Sequence, residues 1–356
     1  MSAKRMLFTL LLAALTVSAL AVAPFAGAQE GPQPEAVGLR PDAPPYALHG
    51  PYWVGVIENE AETPSHPTKV LIWYPALNPD GAEEAVAYDW DYDPQELGQL
   101  PIAGHALKNA VADISGGPYP LVMYVHGAGG GRTGGIWLCE HLASYGFVVM
   151  SIDQDDNTAT PGGTGVYQAR LKDVTWQIDY ADTLTSATGL LAGLIDTDRV
   201  AITGHSVGGR TAFEAGGIGG DPRIKAVVPL APYGVGVVTD VTLPTMLLSG
   251  SKDEYLSTSN AQRIYDGLGS TTKAFVTFQF AHHAIFWYSC DAAPWYPPSS
   301  HRYCSDPVWD MDRVHDLANH FITAFLLDVL KTDEAARRFL TPGVKMEGVE
   351  YQATGF

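Results

Sequence analysis

Short apolar runs alternate with longer amphipathic stretches along most of the chain. Several runs are continuous stretches of Val, Ile, Leu and Met without polar alternation, which is typical of strands covered on both faces of a parallel sheet. The predicted strands are 69–74, 121–125, 147–152, 199–203, 224–230, 245–248 and 275–280. The predicted helices are 133–145, 169–193, 207–216, 258–268 and 311–331. This alternation predicts an α/β fold, a single domain with a mostly parallel, doubly wound sheet flanked by helices.

The N-terminus departs from this pattern. Lys4 and Arg5 precede an apolar run over 6–22, which is followed by the small residues Ala26-Gly27-Ala28. This order is typical of a secretory signal peptide, predicted here for residues 1–28. An uncleaved membrane anchor is the alternative, and an early proline and the cleavage motif argue against it. We therefore expect a secreted or periplasmic protein with no stable membrane anchor after cleavage.

The rest of the chain is predicted to form a linker and one domain. Residues 29–48 are rich in Pro, Gly and Ala, which predicts a flexible N-terminal linker. Residues 49–356 are long enough for one large α/β domain with a full core, and no repeat or second boundary interrupts them.

Charge and histidine spacing argue against nucleic-acid and metal partners. The formal net charge is −18 at pH 7, which repels nucleic acid and anionic lipid, although it could also serve solubility alone. His282 and His283 are adjacent, and His315 and His320 are five residues apart, so neither pair suits shared ligation on one helical face. We expect no metal and no cofactor, and the oligomeric state stays open.

The most informative motif is Gly204-His205-Ser206-Val207-Gly208. It fits the pattern G-x-S-x-G, in which a strand turns sharply into a helix and exposes a serine hydroxyl at a strained bend. Glycines flank the serine because a side chain there would clash as the helix packs back across the strand. Ser206 is therefore the predicted nucleophile.

A serine hydroxyl needs a base and an orienting acid, and each follows a later predicted strand. Asp253 comes after the strand 245–248, and His282-His283 come after the strand 275–280. The order serine, acid, histidine is the chain order expected of a triad built around such a bend. Asp253 alone could be a turn residue, and one of the two histidines must be structural. The three roles together favour a catalytic triad.

A glycine-rich loop is placed to supply an oxyanion hole. The strand 121–125 runs into His126-Gly127-Ala128-Gly129-Gly130-Gly131, where backbone N–H groups can converge beside the nucleophile. We expect the amides of Ala128 and Val207 to be the donors. Phosphate binding by this loop is disfavoured, because no lysine follows in P-loop spacing.

The three cysteines predict one disulfide and one free thiol. Export permits a disulfide, and Cys290 and Cys304 are the natural pair because they bracket a short segment rich in Pro and aromatic residues. Closing a loop of about 15 residues contributes roughly 3 kcal/mol in the chain-entropy model. Cys139 lies in an apolar helical stretch and is predicted to be buried and unreactive.

The aromatic segment follows the histidine loop directly, so it must begin near the mouth of the active site. Trp287, Trp295 and Tyr296 are candidate substrate-binding residues if this segment forms a disulfide-closed wall of the cleft. A surface loop that packs on its own aromatic side chains is an equal alternative.

These motifs resemble those of the α/β-hydrolases, specifically the dienelactone hydrolase-like and platelet-activating-factor acetylhydrolase-like serine esterases, with bacterial lipases and polyester hydrolases as relatives. The matching stretches are 71–75, 124–130, 142–149, 198–209 and 221–226. The resemblance implies Ser206 as nucleophile, Asp253 as acid and, from the phenylalanine that follows it, His283 as the base in preference to His282. Classical dienelactone hydrolases use a cysteine nucleophile, and Ser206 in its place argues for ordinary ester hydrolysis.

The sequence therefore predicts a secreted serine carboxylic-ester hydrolase that forms an acyl-enzyme. Its expected partners are small, aromatic or polyester substrates. A serine peptidase or amidase on the same fold is one alternative, because the same triad cleaves amides. A catalytically silent binding module is another, and the intact triad residues argue against it.

Overall fold

The fold is built around a central β-sheet. The computed structural model describes residues 32–90, 100–154, 164–236 and 238–356. The strands are β1 Trp53–Glu62, β2 Pro67–Ala76, β3 Val86–Trp90, β4 Leu100–Gly104, β5 Leu107–Lys108, β6 Tyr119–Val125, β7 Val148–Ile152, β8 Ile195–His205, β9 Ile224–Leu230, β10 Thr245–Gly250, β11 Lys273–Phe278 and β12 Val349–Thr354. The helices are α1 Ile136–Ser144, α2 Thr164–Ser186, α3 Val207–Gly216, α4 Thr258–Gly267, α5 Met311–Lys331 and α6 Glu334–Arg337. Short 3₁₀ helices occur at Pro45–Ala47, His283–Phe286 and Pro298–Tyr303. The predicted leader, residues 1–28, lies outside the described residues.

The main sheet has the strand order β12-β11-β10-β9-β8-β6-β7-β2-β1-β5, and β3 and β4 form a separate hairpin. Neighbours from β11 to β7 run parallel. Towards the two ends, β12 and β2 pair antiparallel with β11 and β7. Helices α1 and α5 bury their apolar sides on one face of the sheet, and α2, α3 and α4 bury theirs on the other. The chain thus has the α/β-hydrolase fold as a single domain, as the sequence predicts.

Each predicted strand is present, with its bounds shifted by a few residues at most. The strands β1 and β12 are missed because they lie at or near the ends of the sheet, where buried and exposed side chains alternate over much of their length. A search for continuous apolar runs does not find such strands. Among the described residues, no helix combines the length and apolar character needed to cross a bilayer.

The linker predicted for residues 29–48 packs onto the domain along its second half. The backbone N–H groups of Leu39 and Arg40 donate to the carboxylate of Asp316 on α5, at 3.0 and 2.8 Å. Tyr46 donates its backbone N–H to Nδ1 of His320 at 3.1 Å, and its side chain is buried. The expectation of a loose linker is wrong for this part, because buried polar groups of α5 satisfy its backbone donors.

We predict that Asp316→Ala releases this segment. A hydrogen bond to a buried charged group is worth about 1.5–3 kcal/mol, so hydrogen exchange at the amides of Leu39 and Arg40 should accelerate by roughly tenfold or more. Asp312→Ala, one turn earlier on the same helix, is the matched control and should leave these amides protected. Equal exchange in wild type and Asp316→Ala would show that the segment is held by other contacts.

Candidate active site

Ser206 occupies a sharp bend between β8 and α3. It is a non-glycine residue with φ 58° and ψ −116°, a conformation that costs about 1–3 kcal/mol and persists only where surrounding contacts impose it. Its backbone N–H donates to the carbonyl oxygen of Leu230 at 2.9 Å. Its carbonyl oxygen accepts from the N–H groups of Arg210 and Tyr233 at 3.1 and 3.0 Å. The bend is therefore held from β9, from α3 and from the loop that follows β9.

The motif glycines are required by close backbone contacts. A Cβ at Gly208 would overlap the carbonyl oxygen of Val125 at the end of β6. A Cβ at Gly204 would lie 2.5 Å from the same oxygen, and one at Gly209 would lie 2.9 Å from the carbonyl oxygen of Gly204. Real Cβ atoms do not approach backbone atoms so closely, so α3 can pack directly over β6 and β8 only with glycine at these positions.

Asp253 and His283, the predicted acid and base, are in direct contact. Oδ2 of Asp253 lies 2.7 Å from Nδ1 of His283, and the Asp253 side chain is fully buried. The other oxygen of Asp253 accepts the N–H groups of Tyr255 and Leu256, both at 2.7 Å. An imidazole that donates its Nδ1–H to such a carboxylate presents Nε2 on its other side as the acceptor nitrogen.

His205 connects the serine bend to the histidine loop. Its Nε2 donates to the carbonyl oxygen of His283 at 3.0 Å, and the two imidazole rings lie 4.6 Å apart between centroids. Burial, with a smaller contribution from His283, lowers the pKa of His205 well below its usual range, so its ring is neutral. The residue directly before the serine thus contacts the predicted base, which brings Ser206, His283 and Asp253 to one end of the sheet.

The glycine-rich loop is anchored at its beginning by two buried side chains. His126 accepts the N–H of Gln154 at its Nε2 (2.8 Å) and donates from Nδ1 to the carbonyl oxygen of Gly127 (2.7 Å). The guanidinium of Arg170, itself 1 % exposed, donates to the carbonyl oxygen of His126 at 2.6 Å. These contacts fix the direction in which the loop leaves β6.

Arg132 anchors the end of the same loop. Its side chain is 2 % exposed and forms ion pairs with Asp153 at 2.7 Å and with Glu58 at 2.8 Å. Its backbone N–H also donates to Asp153, at 2.7 Å. The sequence did not indicate this role, because an arginine in a loop resembles a surface charge and Glu58 is distant along the chain. The only local signal is its position directly after the glycine run.

Ala128 and Val207, the predicted oxyanion donors, lie on the two segments next to the serine. A Cβ at Gly127 would be 3.3 Å from Cβ of Ser206, so the loop passes beside the bend. Ala128 is the exposed residue that follows. Val207 is the first residue of α3, and its N–H is one of those without a partner inside the helix. This arrangement is suited to stabilising negative charge next to Ser206.

Of the three aromatic residues predicted to bind substrate, Trp287 contacts this region. A Cβ at Gly130 would lie 2.6 Å from Cη2 of Trp287, so the indole covers the glycine loop. Trp295 instead donates from Nε1 to the carbonyl oxygen of Pro101 in β4 at 2.7 Å, and Tyr296 packs on Tyr288. Trp295 thus ties the aromatic segment to the β3–β4 hairpin, whereas the contact of Tyr296 with Tyr288 lies within the segment.

Two tyrosines that the sequence analysis did not select lie near the predicted base, one in contact with it and the other in contact with the first. Tyr255 is 62 % exposed, and its ring stacks edge-on against His283 with centroids 4.8 Å apart. Tyr233 meets Tyr255 at 6.1 Å. Their positions after the acid and after β9 are the signals that could have identified them.

The predicted disulfide is confirmed, with an S–S distance of 2.01 Å between Cys290 and Cys304. Cys139 is a buried free thiol, and burial raises its pKa well above the usual range. Because a thiol reacts as its thiolate, Cys139 is not a nucleophile. The described residues contain no group of His, Cys, Asp and Glu side chains arranged to hold a metal ion.

His282 contacts a different carboxylate from His283. Its backbone N–H and its Nδ1 lie 2.8 and 3.2 Å from Oδ2 of Asp306, whose side chain is 1 % exposed. The two adjacent histidines therefore differ in their partners, and the partner of His282, Asp306, is one that the sequence analysis did not identify.

Comparison with known proteins finds similarity to one family model and to several ester hydrolases. The model of a family described as PET hydrolase-like matches residues 117–295, half of the chain. Cutinase est2 of Thermobifida alba is 30% identical over 172 residues, which cover 46% of this chain and 53% of the cutinase. Bis(hydroxyethyl) terephthalate hydrolase of Streptomyces coelicolor is 30% identical over 172 residues, 48% of this chain and 52% of that enzyme. The chain thus spans about half the length of these curated relatives.

A pair of alanine substitutions tests the glycine contacts. Gly208→Ala should destabilise the protein by several kcal/mol and abolish hydrolysis, since its Cβ would overlap a backbone oxygen that cannot move aside. Gly129→Ala is the matched control, because its Cβ meets nothing within 4 Å and only the positive φ of 68° is unfavourable. It should cost about 1–2 kcal/mol by thermal or denaturant unfolding. Equal losses in the two variants would contradict the close-packing explanation.

Proposed function

The chain belongs to the PET hydrolase-like family, and we propose from this that it is a serine carboxylic-ester hydrolase acting through Ser206, His283 and Asp253. The observation that carries the proposal is the 2.7 Å contact between buried Asp253 and His283, placed beside the strained bend at Ser206. Such a bend and such a pair at the same end of one sheet are suited to nucleophilic catalysis.

The proposed reaction has two steps. Nε2 of His283 accepts the hydroxyl proton of Ser206 as Oγ attacks the ester carbonyl, and Asp253 stabilises the imidazolium that results. The imidazolium then protonates the leaving alkoxide, which departs as an alcohol and leaves an acyl group on Ser206. A water molecule, deprotonated by the same imidazole, attacks this acyl-enzyme, and collapse of the second intermediate releases the acid and restores the serine hydroxyl.

Backbone amides would stabilise the charge that develops on the carbonyl oxygen. The N–H groups of Ala128 and Val207 are the proposed donors, because one lies on the glycine loop beside Ser206 and the other begins α3. The ion pairs of Arg132 and the hydrogen bond of Arg170 hold that loop at both ends. Donors fixed before substrate arrives need no reorganisation during the reaction.

We propose aromatic esters, including aromatic polyesters, as the substrate class. Exposed Tyr255 beside His283, Tyr233 next to it and Trp287 over the glycine loop would offer ring faces to an aromatic acyl group. A relative whose name specifies bis(hydroxyethyl) terephthalate supports this choice. The leader-like sequence of residues 1–28 supports export, which would also let Cys290 and Cys304 oxidise.

Ser206→Ala tests the proposal. The variant should fold normally and lose on the order of 10⁴- to 10⁶-fold in kcat for p-nitrophenyl butyrate and for bis(hydroxyethyl) terephthalate. Ser249→Ala, which alters another buried serine near the end of strand β10 of the same sheet, is the control and should retain full activity. Undiminished hydrolysis by Ser206→Ala would overturn the proposal. Faster cleavage of aminoacyl p-nitroanilides than of these esters by the wild type would assign the site to a peptidase.

A further inference from the structure

We infer that Asp306 and His282 are positioning residues for His283, and that the Cys290–Cys304 disulfide acts on catalysis through them. The inference rests on the proposed role of His283 as the base. The aromatic segment would then have a second function besides lining the cleft, because it would hold the loop of the catalytic histidine in place.

Both carboxylate oxygens of Asp306 are held by hydrogen bonds. Its Oδ1 accepts the N–H groups of Val308 and Trp309, both at 2.9 Å, which closes a turn. Its Oδ2 accepts the N–H of His282 at 2.8 Å and lies 3.2 Å from the imidazole Nδ1. With the carboxylate almost completely buried, these contacts are the ones that compensate for its desolvation.

The same arrangement holds His283. Asp253 also uses one oxygen to accept N–H groups two and three residues later, and the other to hold a histidine ring. Two adjacent histidines are thus each held by a buried aspartate at the start of a turn. Asp253 holds the imidazole of His283 directly. Asp306 holds the backbone of the preceding residue, His282.

Glu254 completes the link between the two histidines. Its Oε2 accepts the N–H of His283 at 3.2 Å, and its Oε1 lies 4.0 Å from Nε2 of His282. His282 therefore lies between two carboxylates. A shift of His282 would change the contact that Glu254 makes with the backbone of His283.

The disulfide fixes the point at which the chain returns to this loop. The segment leaves beside His283 at Trp287, whose carbonyl oxygen accepts Nε2 of His315 on α5 at 2.8 Å. It returns at Cys304, two residues before Asp306, where the disulfide to Cys290 is joined by a hydrogen bond between their backbones at 2.9 Å. Trp309 adds a bond of 2.8 Å from Nε1 to the carbonyl oxygen of Gln279, just before the histidines.

Asp306→Asn isolates the link to His282. The asparagine carbonyl can still accept from Val308 and Trp309, whereas its NH₂ group cannot accept the N–H of His282. We expect kcat for a soluble ester to fall roughly 10- to 100-fold with KM within about twofold, because displacement of a catalytic group by about 1 Å has effects of this size. Asp310→Asn is the matched control, since asparagine also caps a helix and Asp310 caps α5 without contacting the histidines.

A double-mutant cycle tests the disulfide. Cys290→Ser with Cys304→Ser should lower kcat several-fold, and adding these changes to Asp306→Asn should lower it little further. Multiplied losses would show that the disulfide does not act through Asp306 and would overturn that part. Lower melting temperatures with unchanged kcat in Asp306→Asn would overturn the positioning role.

Hydrogen exchange keeps this test separate from the proposed function. The amide of His283 should exchange faster in Asp306→Asn than in wild type or Asp310→Asn, whether or not an ester is hydrolysed. Equal exchange in all three proteins would contradict the proposed positioning of His283 by Asp306 and His282. Absence of ester hydrolysis by the wild type, with faster exchange in Asp306→Asn, would instead contradict the proposed function alone.

Discussion

The contact between Gly208 and the carbonyl oxygen of Val125 is the constraint on which the rest of the site depends. It lets α3 start directly over the end of β6, without space for a side chain between them. The chain then passes from β8 into α3 through the strained conformation of Ser206, a residue that is partly exposed at the bend. The glycine loop begins at the same end of β6, so one backbone contact brings the proposed nucleophile and the proposed oxyanion loop together.

Buried charges then fix what surrounds the serine. Asp253 and Asp306 each hold one histidine and close one turn, and Arg132 holds the far end of the glycine loop through two carboxylates. Each of these groups is desolvated and hydrogen-bonded at nearly every polar atom, so removing one partner leaves a buried charge uncompensated. The site is therefore rigid in the elements that must be aligned before substrate binds. Tyr255, by contrast, is exposed to solvent.

Local pattern predicts the parts of this structure that are determined locally. The bend at Ser206 could be predicted because the flanking glycines and the preceding strand are adjacent to it in sequence. The proximity of Asp253 and His283 could be predicted because each follows a continuous apolar strand. The partner of His282 was not, since Asp306 lies beyond the disulfide-closed segment and looks like an ordinary turn residue. Arg132 and the docked segment around Tyr46 were missed for the same reason, because their buried partners are distant along the chain.

The most direct measurement is to map a covalent adduct after treatment with a fluorophosphonate. A serine activated by a neighbouring imidazole attacks phosphorus, and the stable product marks the nucleophile. The account predicts one adduct per chain, found by mass spectrometry on the peptide that contains Ser206, and none in the His283→Ala protein. An adduct on another serine, or an unmodified protein under conditions that label a known serine esterase, would contradict it.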